Sequence, residues 1–228
     1  MLRFKDINLG KRIWVCGGGG SLLTVIPEKI PKQDIVICCN VATKHFENFD
    51  YAVFTDSSVN YYDYYLNLNK KNCKIIIFNE KGITVKVKDE TYYIEKEQTC
   101  KFDKTSNKSI FGKDCVHIAV NLAWMMGAKE IILAGVDLKY INENKKYAYE
   151  AIPTKDIPSG LLQINKYGDA GGQGKQTGQY MFDGYLGSSL MYWDEINEAN
   201  PNLNIVDISI DGNLKLYPKK SFNEVISY

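Results

Sequence analysis

A short apolar run, Arg12-Ile-Trp-Val-Cys16, stops at four consecutive glycines, Gly17 to Gly20, followed by Ser21. A strand ending in such a loop can bring backbone N–H groups against a phosphate. The loop lacks the full G-x-G-x-x-G spacing, because Leu22 holds the sixth position, and it has no P-loop lysine. A tight turn needs the same residues, so the loop alone names no ligand. Three more apolar runs stop at a polar side chain: 34–39 at Asn40, 51–55 at Asp56 and 130–136 at Asp137. Each alone is an ordinary turn former that caps its own backbone. Together with the glycine loop they fit the carboxyl edge of an open α/β sheet, where ligands bind.

Other reactive side chains are sparse. Only His45 and His117 are present, which disfavours a His-rich metal site. His117 falls within a helical pattern, and His45 has no evident partner in the sequence. The six cysteines form no C-x-x-C pair and suit a reducing compartment, with several simply filling apolar runs. Asp183, in Tyr180-Met-Phe-Asp-Gly184, can serve as a base or as a loop cap.

The elements that must position these groups follow from patterning. Runs 12–16, 34–39, 51–55, 74–78 and 130–136 do not alternate, as expected for parallel strands covered on both faces, and the stretches between them are long enough for crossovers. Residues 83–96 alternate around Asp89-Glu90, which predicts an antiparallel hairpin insertion. Apolar positions at helical spacing predict a helix over 114–126, with Asp114 at its start and Gly127 ending it. A further helix over 186–199, a strand over 204–209 and a short closing helix from Ser221 complete the pattern.

Eight of the 18 glycines fall between Gly160 and Gly187, inside a stretch without period from Tyr140 onward. So long a loop in a compact domain is functional or disordered. Net charge +1 argues against a dedicated nucleic-acid binder, and no apolar run reaches the roughly 18 residues of a membrane span. The start has no apolar signal core, so a cytoplasmic protein is expected. A length of 228 residues fits one domain, 1–228.

Two blocks, about 15–57 and 112–149, resemble the bacterial lipooligosaccharide sialyltransferases and the broader Rossmann-like set that includes archaeal 6-hydroxymethylpterin diphosphokinase. The matching pieces are Gly17-Gly-Gly-Gly-Ser-Leu22, Cys39-Asn40 and Gly127-Ala-Lys-Glu-Ile-Ile-Leu-Ala-Gly-Val-Asp137. The resemblance implies a Rossmann-like α/β fold, mostly parallel, with helices on both faces, the hairpin at 83–96 and a glycine-rich lid at about 150–187. It also implies that Gly17, Gly18, Gly19, Ser21 and Asn40 hold a nucleotide, with Cys115 where the family has a serine. Tyr140 and Tyr147 match in kind the tyrosines that steady the leaving phosphate.

The expected activity is therefore glycosyl transfer from a nucleotide-sugar donor, CMP-linked in the relatives, to a glycan or other hydroxyl acceptor. Asp183 stands where a histidine base would be expected. No D-x-D motif is present, so no metal is expected for this reaction. The alternative is an ATP- and Mg²⁺-dependent diphosphokinase of a pterin-like alcohol, with Asp56 and Asp137 facing the phosphates. A non-catalytic nucleotide-binding module is the third reading, and self-association is compatible with all three.

Overall fold

The computed structural model describes residues 1–78, 83, 86–110, 112, 114–139, 148–149 and 189–227. The strands are β1 (Arg12–Cys16), β2 (Ile35–Cys39), β3 (Asn48–Phe54), β4 (Asn72–Phe78), β5 (Thr91–Ile94), β6 (Lys96–Glu97), β7 (Ser109–Ile110), β8 (Glu130–Ala134) and β9 (Ile205–Asp207). Seven of them form one sheet in the order β5-β4-β3-β2-β1-β8-β9, while β6 and β7 pair separately. Every pairing in the large sheet is parallel, with Val15 of β1 set between Ile37 and Leu133. The unbroken apolar runs of β1 and β2 follow from this: all five residues of each are buried, alternately on the two faces.

Helix α1 (Asp63–Leu66) is a single short turn. One face of the sheet packs Ile13, Val15, Ile37 and Leu133 against α2 (Cys115–Met125) and against Trp193 and Ile196 of a helix over 189–199. The other packs Trp14, Cys16, Val36 and Cys38 under Leu22, Val25, Phe46 and Tyr65, and under Phe222 and Val225 of the closing helix, Phe222–Ile226. Each such buried aliphatic or aromatic side chain contributes roughly 1.5–3 kcal/mol. This is the Rossmann-like α/β arrangement that the sequence implied.

Two expectations need correction. The strand after Asp89-Glu90 exists, but β5 pairs in parallel with β4, with Ile76 opposite Tyr92, and residues 86–88 carry no strand. Alternation reported the half-exposed setting of an edge strand and was silent about its partner. The element after the glycine loop is a five-residue 3-10 helix, Gly20–Thr24, without a side-chain cap. It is too short to add a helix dipole to the backbone N–H groups that the glycine loop could offer a phosphate.

Helix α2 fits its prediction closely. Asp114 is its N-cap and accepts from the N–H groups of Val116 at 2.9 Å and His117 at 3.2 Å. His117 takes the third helical position of a capping box, its Nδ1 accepting from Asp114 N–H at 3.3 Å. Gly127, at φ 86°, ends the helix.

Burial holds the His117 imidazole below its usual titration range, partly offset by the Asp114 carboxylate and the Ser189 backbone. A lowered folded-state value means the unfolded chain binds this proton first. Stability from His117 is therefore complete above its unfolded value, about 6.5, and is lost as pH falls below it. Thermal unfolding between pH 7.5 and 5.5 should show a steeper loss of Tm for the native chain than for His117→Gln, which keeps a capping-box residue that does not titrate. Asp50 and Asp207, whose carboxyls burial pushes up, act in the opposite direction in both proteins and cancel in the comparison.

Candidate functional site

Because neighbouring strands run parallel, Asp56, Asn40, Gly17 and Asp137 follow the carboxyl ends of β3, β2, β1 and β8 along one edge of the sheet. The chain passes from β1 outward to β5 and then returns to β8 on the other side of β1. The edge between β1 and β8 is thus the switch point, where open α/β sheets take their ligands.

At that point the two loops are joined by main chain. Gly17 N–H donates to Ala134 O at 2.7 Å and Gly19 N–H to Gly135 O at 2.8 Å. A Cβ on Gly17 would stand 2.5 Å from Gly135 O, and one on Gly19 would stand 2.8 Å from it. Two glycines of the run therefore answer to the close approach of another backbone. Gly135, at φ 66°, completes this seam.

Ser21 and Asp137 lock the seam with side chains. Ser21 N–H donates to Asp137 Oδ2 at 2.8 Å, and Ser21 Oγ–H donates to Asp137 Oδ1. Gly135 N–H donates back to Ser21 Oγ at 3.1 Å, and Ser209 Oγ lies 3.0 Å away. Asp137 is buried, so both carboxylate oxygens are paired as burial demands. On the β9 flank of this clasp lies an open cavity of about 650 Å³, lined by Leu23, Ile26, Ile208 and Ile210 among others.

Asn40 stands one strand away. Its backbone is left-handed at φ 48°, and its side-chain Oδ1 is buried without a hydrogen-bond donor among the described residues. An unsatisfied buried acceptor costs about 1–3 kcal/mol. Cys115 begins α2 beside the end of β2, where Cys39 Sγ lies 3.6 Å from Cys115 O. Both thiols are buried, and desolvation raises that of Cys39. Asp56 is exposed, two strand intervals from the glycine loop, or about 10 Å. Gly17, Gly19, Ser21 and Asp137 are thus in contact, with Asn40 and Cys115 adjoining. Tyr140, Tyr147, Asp183 and the stretch 150–187 lie outside the described residues.

One pair was not foreseen. His45 Nδ1 lies 2.6 Å from Tyr149 Oη, and His45 Nε2 lies 2.9 Å from Val25 O. Ala148, just before Tyr149, donates its N–H to Gly18 O at 2.8 Å. His45 therefore does have a partner, 104 residues away, and no local pattern could announce it.

A family model described as 6-hydroxymethylpterin diphosphokinase MptE-like matches residues 1–143. The chain belongs to this family. The matched span of this MptE-like chain contains Gly17, Gly19, Ser21, Gly135 and Asp137, hence both sides of the seam. Solved structures extend the likeness. The sialyltransferase CstII from Campylobacter jejuni, in complex with cytidine 5′-monophosphate, is 13% identical with a TM-score of 0.51, covering 93% of this chain and 86% of its own. The MAf glycosyltransferase from Magnetospirillum magneticum AMB-1 is 12% identical with a TM-score of 0.52; the likeness spans 97% of this MptE-like chain and 37% of that one. At such identities the likeness is one of fold alone. No curated protein matches the sequence. Among the described residues no helix is long and apolar enough to cross a membrane.

Proposed function

We propose that this MptE-like chain is a nucleotide-sugar-dependent glycosyltransferase that binds a CMP-linked donor along the β1–β2 edge and passes its sugar to a hydroxyl acceptor. The observation that carries this is Asn40: a buried amide carbonyl with no donor among the described residues, held at φ 48° beside the glycine loop and the start of α2. A cytosine amino group is a donor of the kind such a carbonyl lacks. Likeness of fold to a sialyltransferase solved with CMP agrees with that choice. In this reading Gly17, Gly18, Gly19, Ser21 and Cys115 frame the nucleotide, Asp137 holds Ser21 in place, and Tyr140 and Tyr147 meet the leaving phosphate.

The family description favours a second reading, an ATP-dependent diphosphokinase using Mg²⁺. Its two candidate carboxylates do not fit a shared ion. Asp137 has both oxygens committed to Ser21. Asp56 follows β3, three strand intervals from β8, or about 14 Å, whereas Mg²⁺ ligands sit roughly 2 Å from the metal.

Thermal shifts against CMP, CTP, UDP, GDP and ATP, each with and without Mg²⁺, separate the two. The transfer reading expects CMP and CTP to raise Tm without metal. A shift confined to ATP with Mg²⁺ would replace it by the diphosphokinase.

A further inference from the structure

The contact between His45 and Tyr149 has the form of a proton relay. The Val25 carbonyl, 2.9 Å away, accepts from Nε2–H and so fixes the tautomer. The lone pair of Nδ1 is then left to accept the Tyr149 O–H at 2.6 Å. Phe46 packs edge-on against the imidazole, with ring centroids 5.0 Å apart, and limits its rotation. A base held by a third group, with its free nitrogen on a hydroxyl, is the arrangement that activates an oxygen for attack.

Its position ties it to the glycine loop. Val25 closes the 3-10 turn that begins at Gly20. Ala148 is bonded to Gly18 O, and His45 lies five residues beyond Asn40 on the chain leaving β2. The pair thus flanks the loop on the side where β1 and β2 end. Both side chains are half-buried, so a ligand can reach them. Burial raises the Tyr149 phenol, which keeps it protonated at neutral pH with lone pairs free to accept. The other histidine, His117, is buried and spends Nδ1 in the cap of α2.

We propose that Tyr149 and His45 form the relay that deprotonates the acceptor hydroxyl, Tyr149 Oη touching that hydroxyl and His45 receiving the proton through it. The inference rests on the proposed glycosyl transfer and names its base. As the acceptor oxygen bonds to the anomeric carbon, the bond from that carbon to the phosphate oxygen breaks and CMP departs with the electron pair. The acceptor proton moves to Tyr149 Oη while the proton of Tyr149 moves to His45 Nδ1. The imidazolium, steadied by the Val25 carbonyl, then releases its proton to water.

The test uses CMP-sialic acid as donor and lactose as acceptor, with CMP binding followed in parallel by thermal shift. Tyr149→Phe and His45→Gln should each bind CMP as the native chain does and lose about 100-fold or more in kcat, with little change in KM. The double variant should be no slower than either single one, since the two act as a unit. Added imidazole should restore part of the rate to His45→Ala but none to Tyr149→Phe. If the native chain transfers sialic acid and both variants keep kcat within about twofold, the relay is overturned and the transfer stands. If the native chain binds CMP but releases none from the donor, transfer fails and the relay fails with it. Tyr149→Phe preserves the ring, so unaltered CMP binding by that variant separates lost chemistry from lost structure.

Discussion

Replacing Gly135 with alanine is expected to lower the unfolding free energy by about 3 kcal/mol or more, adding a left-handed backbone penalty of about 1–2 kcal/mol to an overpacking cost of about 1–3 kcal/mol. The added Cβ would stand inside contact distance of Gly17 O, a backbone atom that no rotamer change can move aside, and 3.0 Å from Leu22 Cβ. The glycine loop must then shift, and with it the bonds from Gly19 N–H to Gly135 O and from Gly135 N–H to Ser21 Oγ. For a chain of this length the loss corresponds to a fall in Tm of roughly 6–12 °C. Gly10 supplies the control: its φ is 76°, but nothing lies within 4 Å of an added Cβ. Gly10→Ala should therefore cost only the backbone part, about 1–2 kcal/mol. Equal losses for the two variants in urea unfolding would refute the seam as a packing constraint.

Asn40→Gly is expected to leave Tm nearly unchanged while weakening CMP binding by roughly 10- to 100-fold. Glycine accepts φ 48° without strain, so the substitution removes the amide and little else. In the free protein it also removes a buried acceptor that has no donor among the described residues, which offsets part of the lost packing. In the complex it removes a hydrogen bond worth about 1.4–3 kcal/mol, and each 1.4 kcal/mol is tenfold in affinity. Isothermal titration of both proteins with CMP measures the difference directly. Equal affinities would remove Asn40 from the nucleotide site, and a large fall in Tm would give it a structural role.

The fold was more legible than the site, for a physical reason. Runs such as 12–16 and 130–136 are short-range signals, set by burial on both faces; the first stops at Cys16 as the sequence marked, and the second stops as a strand at Ala134, three residues before Asp137. The ends of α2 are local as well, since Asp114 caps its own helix and Gly127 turns out of it. Pairing is not local. Alternation at 91–94 was correct about exposure and wrong about the neighbour, because an edge strand beside β4 and one arm of a hairpin show the same pattern. The ends of β1, β2, β3 and β8 were rightly placed on one edge, yet nothing in the string shows that Asp137 is committed to Ser21, 116 residues earlier. The glycines were noticed for close approach, and one backbone that Gly17 and Gly19 approach is that of Gly135, a partner no local pattern announces. His45 illustrates the same limit: only the folded chain brings Tyr149 to it.

The seam between Gly17 and Gly135 also has a kinetic meaning. Its partners are more than a hundred residues apart, and Ser209, near the far end of the chain, touches Ser21 across 188 positions. Contacts so distant in sequence close late, because their loop entropy must be met before they stabilise anything. The pocket edge is therefore among the last parts to assemble during refolding. Recovery of ligand binding should trail the recovery of α2, whose cap is local, and so report completion of the native state.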